Sequence, residues 1–456
     1  MVSSPLRYEG SSVSAAPLLQ EMTFPFSNRT VKNRFLKAAM TERLASWDPV
    51  ELETRGVPSE DLVNLYRRWG QGGFGTILTG NIMIDPINLE SAGNMITPIQ
   101  PSDLSARANA YKKLALAAKS DGSLVIGQIS HPGRQVEDRL QKDPVSASDI
   151  HLDKEIWGMK FARPHAASKD EIKGLVDAFS NAAYFLWKSG FDGVELHGAH
   201  GYLLSQFLSQ KTNNRADEYG GSLENRSRII KEISLAIRER IPVSEGFVLG
   251  IKLNSVEFQD GGFTVDECAE LCRILETELL FDFVELSGGT YEDSAFEHKR
   301  ESTKKREAFF LEFADSISPS LTKTKIFVTG GFKTIAAMVK ALDTVDGVGL
   351  GRPACAEPDF PKNVSIGAIK TGVVRQALDD YDYGLTETVA GTQMRQIAKG
   401  QIPMDMTDAS NVRAFKQSME KWEKSLADDV HSMLVYGYVD VEGIELRPYN
   451  PSSPRL

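Results

Sequence analysis

The chain has 456 residues, of which 41% are hydrophobic and 25% charged, and its formal net charge is -10. These are ordinary globular proportions and exclude global disorder, while the acidic balance disfavours nucleic acid or an anionic membrane as a partner. Three cysteines cannot make a disulfide framework, and neither a signal peptide nor a bilayer-length apolar run is present, so a reducing, cytoplasmic setting is expected.

Residues 1–17, rich in Ser, Ala and Pro, read as a flexible leader. From Leu18 to Asn33, alternation around the turn signal Ser27-Asn28 predicts a short hairpin that closes the bottom of a barrel. Short apolar runs then recur: RFLKAA, GTILTG, SLVIGQI, FDGVELH, FVLGIKLN, FDFVELS, KIFVTG and DGVGLG, starting at Arg34, Gly75, Ser123, Phe191, Phe247, Phe281, Lys325 and Asp346. Amphipathic stretches such as DLVNLYRRW and VDECAELCRILETEL lie between most of them. Strand and helix in alternation, eight times over, predict an α/β fold with a parallel sheet closed as a (β/α)8 TIM barrel over residues 18–370. The GQGGFGT at Gly70–Thr76 precedes a strand and lacks a following helix and acid, so it reads as a helix-to-strand turn. Cys268 and Cys272, at i, i+4, read as helix packing.

Two connections are long, His131–Ser168 after the third strand and Gly288–Arg306 after the sixth. Both leave strand C-terminal ends, where barrel enzymes build their sites, and are expected to be lids. The basic run Lys299–Arg306 is either a solvated helix face or a guide for a phosphorylated dinucleotide. Loops after the seventh and eighth strands form the recurrent phosphate site of barrels, and here they offer VTGGFKT and GLGRP, so Gly330, Gly331, Gly351 and Arg352 are assigned to a phosphate. FDGVEL and FDFVEL are near copies, and the strand period places Glu195 with His197 and Glu285 with Ser287, with Lys252 of the fifth strand between the carboxylates. These two glutamates are either catalytic or an interior charge network. Residues 371–456 carry helical patterns in VRQALDDYDYGL and NVRAFKQSMEKWEKSLADDV and no chemical motif. This helical extension is expected to pack on the barrel or on a second subunit, which leaves a homo-oligomer open.

The chemical centre is Phe191–Arg228. The fourth strand delivers His197 to its C-terminal end, and His200 and Tyr202 follow on a turn, so that three polar tips converge as a carbonyl oxygen would require. Behind them stand Asn214, Arg215, Asp217, Tyr219, Gly220, Gly221, Ser222, Asn225 and Arg226. The His-x-x-His pair, the Gly-Tyr and this N-x-R-x-D-x-Y-G-G-S-x-x-N-R run resemble the Old Yellow Enzyme family of FMN-dependent ene reductases, over roughly Leu18 to Ile369. The resemblance implies bound FMN, reduction by NADH or NADPH, and an α,β-unsaturated carbonyl compound as a small-molecule substrate. It places Gln128 and Thr41 at the pyrimidine edge of the flavin and the backbone of Ala38, Ala39 and Gly80 against the ring. Lys252 falls where most relatives have Arg, and Arg43 where some carry a substrate-contacting Tyr. His197 and His200 would polarise the substrate oxygen, and Tyr202 would protonate the α-carbon. No metal is expected. Two other readings stay open: a metal-dependent barrel hydrolase, with the histidines joined by Glu195, Asp282 and Glu285 as ligands, and a flavin-free barrel that acts as a binding protein. Metal analysis and flavin absorbance separate the three.

Overall fold

The computed structural model describes residues 6–98, 106–156, 158–257, 261–289, 311–380, 382–429 and 433–450. The expected hairpin is formed by β1 (Met22–Phe24) and β2 (Arg29–Val31), paired antiparallel. Strands β3 (Phe35–Lys37), β4 (Thr76–Leu78), β7 (Leu124–Ser130), β10 (Gly193–Gly198), β11 (Val248–Asn254), β12 (Phe283–Ser287), β13 (Lys325–Thr329) and β14 (Gly347–Leu350) pair in parallel in that order, and β14 returns to β3. The ring is closed, and each strand lies in one of the eight runs expected from the sequence. Two-residue strands β5 (Ile82–Met83) and β6 (Met95–Ile96) continue the sheet beyond β7, and β8 (Val145–Ser146) pairs with β9 (His165–Ala166) within the long connection after β7.

These runs become strands because both faces are covered, the interior by side chains and the exterior by helices, which rewards continuous apolar sequence. The helices start where side chains satisfy their free N–H groups: Ser168 with Glu171 and Thr264 with Glu267 form capping boxes. The hairpin plugs the bottom of the barrel, where Met22, Phe24 and Val31 pack on Leu36, Leu78, Ile126, Val248, Phe283 and Phe327. Full burial of a side chain such as Phe24 contributes about 1.5–3 kcal/mol. The aspartates of the two near copies serve this end. Asp192 accepts from the Val125 N–H at 2.9 Å, and Asp282 accepts from those of Ser27 and Leu249 at 2.8 and 3.0 Å. Asp282 thus lies at the far end from the histidines.

The nine-residue signature is also architectural. Arg215 donates to the Ala147 and Ala167 carbonyls at 2.9 and 2.6 Å and pairs with Asp217, tying down the β8–β9 connection. Arg226, almost wholly buried, donates to the Leu208 and Gly221 carbonyls and pairs with Glu267.

Past the barrel, the helices Tyr383–Ala398 and Ala409–Asp428 fold back onto it. Ala390, Met394, Ile397, Ala398 and Tyr438 join the main core, and Val389, Met404, Met406, Phe415 and Val439 make a smaller one. Of the two expected partners for this extension, the barrel is therefore at least one. Two residues of the leader are tied to the barrel: Arg7 pairs with Glu357 at 2.7 Å, and the Tyr8 N–H donates to the Val373 carbonyl at 3.1 Å. The second expected lid and the basic run lie, from residue 290 on, outside the described residues. Among the described residues no helix is long and apolar enough to cross a membrane.

Candidate functional site

Two adjoining cavities open at the C-terminal ends of the strands, of about 410 and 270 Å3. Ala39, Met40, His200, Lys252, Tyr383 and Glu387 line both. Thr41, Gly80, Gln128, His197 and Tyr202 line the first, and Gly330, Gly331, Gly351 and Arg352 the second. Of the residues singled out in the sequence, Ala38 lies on neither wall, because its N–H extends the β3 ladder to the Leu350 carbonyl at 3.0 Å. The signature residues line neither cavity.

The polar cluster has a strained support. His200 sits at a φ of +60°, in the left-handed region that costs a side chain about 1–2 kcal/mol. Its N–H donates to Asn254 Oδ1 at 3.1 Å, and its carbonyl accepts from Gln135 Nε2 at 3.1 Å, which together hold the turn. The imidazole centroids of His197 and His200 are 5.3 Å apart, and the Tyr202 ring lies 4.5 Å from that of His197. Burial, then His200, then Lys252 push His197 well below its ordinary value, and burial followed by Lys252 takes His200 down to about 3. Both rings are therefore neutral near pH 7, with one N–H each.

With the Asn81 amide oxygen turned to His197, a neutral pair has one self-consistent arrangement on these contacts. His197 Nδ1–H donates to Asn81 Oδ1 (2.8 Å), His200 Nδ1–H donates to His197 Nε2 (3.2 Å), and Ser287 Oγ–H donates to His200 Nε2 (2.9 Å). Only one N–H then points into the space between the rings. For His197 to donate there as well, its proton must move to Nε2, and the Asn81 amide must turn to offer Nδ2 to Nδ1. Asn81 and Ser287 thus set the tautomers. Neither was singled out for this in the sequence, although both follow apolar runs at strand C-terminal ends.

Gly80 is small for a reason the sequence does not show. A Cβ there would meet Glu42 Oε2 and the Met40 carbonyl at 2.3 Å each, and its N–H donates to Glu42 Oε1 at 2.9 Å. Glu42 in turn accepts from the Tyr66 hydroxyl. Lys37, fully buried, donates to the Leu78 carbonyl at 3.0 Å and lies 3.8 Å from the Trp69 ring centroid. Burial lowers Lys37 to about 8, against the pull of Glu42. Between that value and the ordinary 10.5 the unfolded chain holds more protons than the folded one, so stability rises as pH increases from about 8 to 10. Denaturant unfolding across that window should show the rise in the parent and lose it in Lys37→Met; an identical pH slope in both would refute the assignment.

Deeper in the barrel, Gln128 Nε2 donates to Glu195 Oε1 at 2.6 Å, and Lys252 Nζ donates to Glu285 Oε1 at 2.9 Å. Lys252 therefore serves one carboxylate and not both. Gln128 keeps one N–H and its carbonyl for a ligand. Burial and the neighbouring Glu285 push Glu195 well above the carboxylate range. Burial pushes Glu285 up too, but Lys252, with hydrogen bonding, outweighs it and holds the group low.

The arrangement fits the cofactor that the resemblance implies. An elongated group with an anionic end needs two linked chambers, one with a cation and glycine turns, the other lined by small residues and an amide. Gly330 and Gly331 stand at φ values of +124° and +77°, which only glycine takes readily. The Gly351 Cβ position has Met40 Sδ at 3.1 Å and no backbone within 4 Å. These turns and Arg352 would hold the phosphate, and Ala39, Thr41, Gln128 and Lys252 the ring.

The extension supplies a further part of the wall, which sequence reasoning missed. Met419, Trp422, Leu426, Met433 and Tyr436 line the first cavity. The Tyr438 hydroxyl donates to Glu387 at 2.5 Å and lies 3.0 Å from the Thr41 carbonyl, and Arg43 lies over its ring. The spacing of Met419, Trp422 and Leu426 signals an amphipathic helix, but helical periodicity does not say which surface it covers.

The profile of the NADH:flavin oxidoreductase / NADH oxidase family matches residues 23–370. An NADH-dependent flavin oxidoreductase of Aspergillus parasiticus is 48% identical over 424 residues, covering 92% of this chain and 94% of the relative. Another NADH-dependent flavin oxidoreductase, from Talaromyces variabilis, is 35% identical over 74% of this chain and 83% of its own. Among solved structures, a 2-naphthoyl-CoA reductase superposes with a TM-score of 0.69 at 26% identity, over 78% of this chain and 54% of that one. Morphinone reductase does so with a TM-score of 0.63 at 22% identity, over 80% and 92%.

Proposed function

Because this chain belongs to the NADH:flavin oxidoreductase / NADH oxidase family, the family of the Old Yellow Enzymes, and is an FMN-dependent oxidoreductase, we propose that it reduces the activated C=C bond of α,β-unsaturated carbonyl compounds. NADH is the proposed reductant, in line with the relatives named for it. The observation that carries this reading is the wall of His197, His200 and Tyr202, two neutral imidazoles and a phenol gathered on one side of a cavity that Ala39, Gly80 and Gln128 also line. Bound FMN supplies hydride chemistry.

The chain's own groups aim and polarise. The carbonyl oxygen of the substrate takes the place between the two rings, displacing the His200–His197 hydrogen bond and accepting from His200 Nδ1–H. Turning the Asn81 amide lets His197 donate as well. Charge that develops on that oxygen is stabilised by donors held in place by the fold. Tyr202, held against His197, gives its proton to the α-carbon. NADH and the alkene use the same cavity in turn, so the cycle is ping-pong.

The apolar roof from the extension fits a substrate with a hydrophobic body behind its carbonyl. Trp422 is partly exposed, so its removal is expected to cost about 1 kcal/mol of binding, roughly a fivefold rise in KM for a bulky cyclic enone. A small enone should show little change with Trp422→Ala. The test is a panel of enones and nitroalkenes assayed with each nicotinamide: NADH should bleach the flavin absorbance and an enone should restore it. A preparation that stays colourless when offered FMN, or whose reduced flavin no member of the panel reoxidises faster than oxygen does, would sink the proposal.

A further inference from the structure

Inside the barrel, at and below the Lys252 that both cavities share, lies a charge set whose two carboxyl groups the proposed reaction does not use. Glu195, Glu285 and Lys252 are each 0–3% exposed. One oxygen of each carboxyl is accounted for, Glu195 Oε1 by Gln128 and Glu285 Oε1 by Lys252. The other two, Glu195 Oε2 and Glu285 Oε2, are buried without a well-formed hydrogen bond, as is the Thr329 hydroxyl, and the two carboxyl groups adjoin one another. Two bare carboxylate oxygens do not stay side by side in a dry interior, because like charges a few ångströms apart cannot both be sustained. A single proton between them satisfies both at once. The Thr329 hydroxyl lies beside Glu285 and lines the second cavity. A hydroxyl can donate to Glu285 as an anion and accept from it as an acid.

The charges facing this pair come from few elements. Lys252 stands on β11, Gln128 on β7 and Thr329 on β13; Lys37 on β3 is within electrostatic reach of Lys252 and Glu285, and His197 and His200 lie above as neutral rings. Strands β4 and β14 bring no charged side chain. Lys252, Glu285 and Glu195 therefore total one ammonium, one carboxylate and one carboxylic acid, with Lys37 a second cation beyond them, and the cation that should offset charge on a reduced flavin is already paired.

We propose that the Glu195–Glu285 pair is a proton site coupled to flavin reduction: it shares one proton while the cofactor is oxidised and binds a second, on Glu285, when the cofactor takes two electrons. Protonation of Glu285 releases the Lys252 ammonium to face the negative charge of the reduced cofactor. The balance is one hydride from NADH to the flavin and one proton from solvent, by way of Thr329, to Glu285. On reoxidation the hydride leaves to the alkene, Tyr202 supplies the α-carbon proton and regains one from solvent, and Glu285 returns its own proton to solvent by way of Thr329. This does not depend on which alkene is reduced, only on bound FMN.

Potentiometric titration of the holoenzyme between pH 6 and 8 tests it. With two electrons, each proton taken up lowers the midpoint by about 30 mV per pH unit, so the parent should follow about 59 mV and Glu285→Gln about 30 mV. The reduced flavin should show the anionic spectrum in both. A parent slope of about 30 mV, an unchanged slope in Glu285→Gln, or a neutral reduced flavin in the parent would each overturn the proposal. Should Glu285→Gln fail to hold FMN, redox-difference infrared spectroscopy of the parent decides: a carboxylic acid carbonyl band that grows on reduction and shifts in D2O is expected, and its absence refutes the second proton.

Discussion

Replacing His200 with alanine should slow reoxidation of the reduced enzyme by an enone by about 10²–10³, the usual cost of one lost oxyanion donor. His200 is singled out because its Nδ1–H is the one proton that the resting hydrogen-bond chain already directs into the space between the rings. His197→Ala should cost less in binding than in rate, since His197 donates only after its proton has moved from the Asn81 side. The double variant should lose phenol binding altogether. FMN should remain bound in all three, because the phosphate turns and Arg352 follow β13 and β14, away from β10. The enone reaction should also be level in pH from about 5 to 8 as far as the histidines are concerned, because burial keeps both rings neutral down to about 3 for His200. Rapid-mixing kinetics of each half-reaction measure this. Unchanged enone turnover in the double variant would remove the histidines from the chemistry, and a sigmoid near pH 6 that disappears with His200→Ala would show that the ring is not neutral.

The second large effect is on stability. Arg226→Ala should lower the unfolding free energy by about 3 kcal/mol, the low end for removing one partner from a buried ion pair, since Glu267 is partly exposed. The loss comes from three places at once: the Leu208 and Gly221 carbonyls lose their donor, and Glu267 loses its cation. Arg226 lines neither cavity, so turnover per bound FMN should be unaltered at temperatures where the variant stays folded. Urea unfolding followed by flavin release, beside turnover normalised to flavin, checks both halves. A variant of parental stability with reduced turnover would mean that the signature acts in the site and not under it.

This outcome bears on how the family can be read from sequence. The Asn214–Arg226 run carries the recognition, yet its side chains hold the Ala147, Ala167 and Leu208 carbonyls in place and face no ligand cavity. A motif of that length is tightly specified because many buried donors and acceptors must be satisfied together, which is a demand of folding. The residues expected at the phosphate, Gly330, Gly331, Gly351 and Arg352, were legible for another reason. They follow the seventh and eighth strands, and strand order alone puts strand ends on one rim. Ala39, Thr41, Gln128 and Lys252 came from the resemblance, and Gln128 and Lys252 lie within β7 and β11. Ala38, also placed by the resemblance, shows that one position decides whether a residue continues the ladder or turns out of it.

Periodicity and strand order, local properties of the chain, determined the closed ring, the hairpin plug and the rim that carries His197, His200 and Tyr202. The tertiary structure alone decided what meets across it. It gave Lys252 to Glu285 and Gln128 to Glu195, filled the space at Gly80 with Glu42, and brought Trp422 and Tyr436 from the distant extension over the pocket. Those pairings join residues far apart in the chain through packing and burial, and a side chain's partner in the interior depends on shape and charge in three dimensions that no spacing along the sequence encodes.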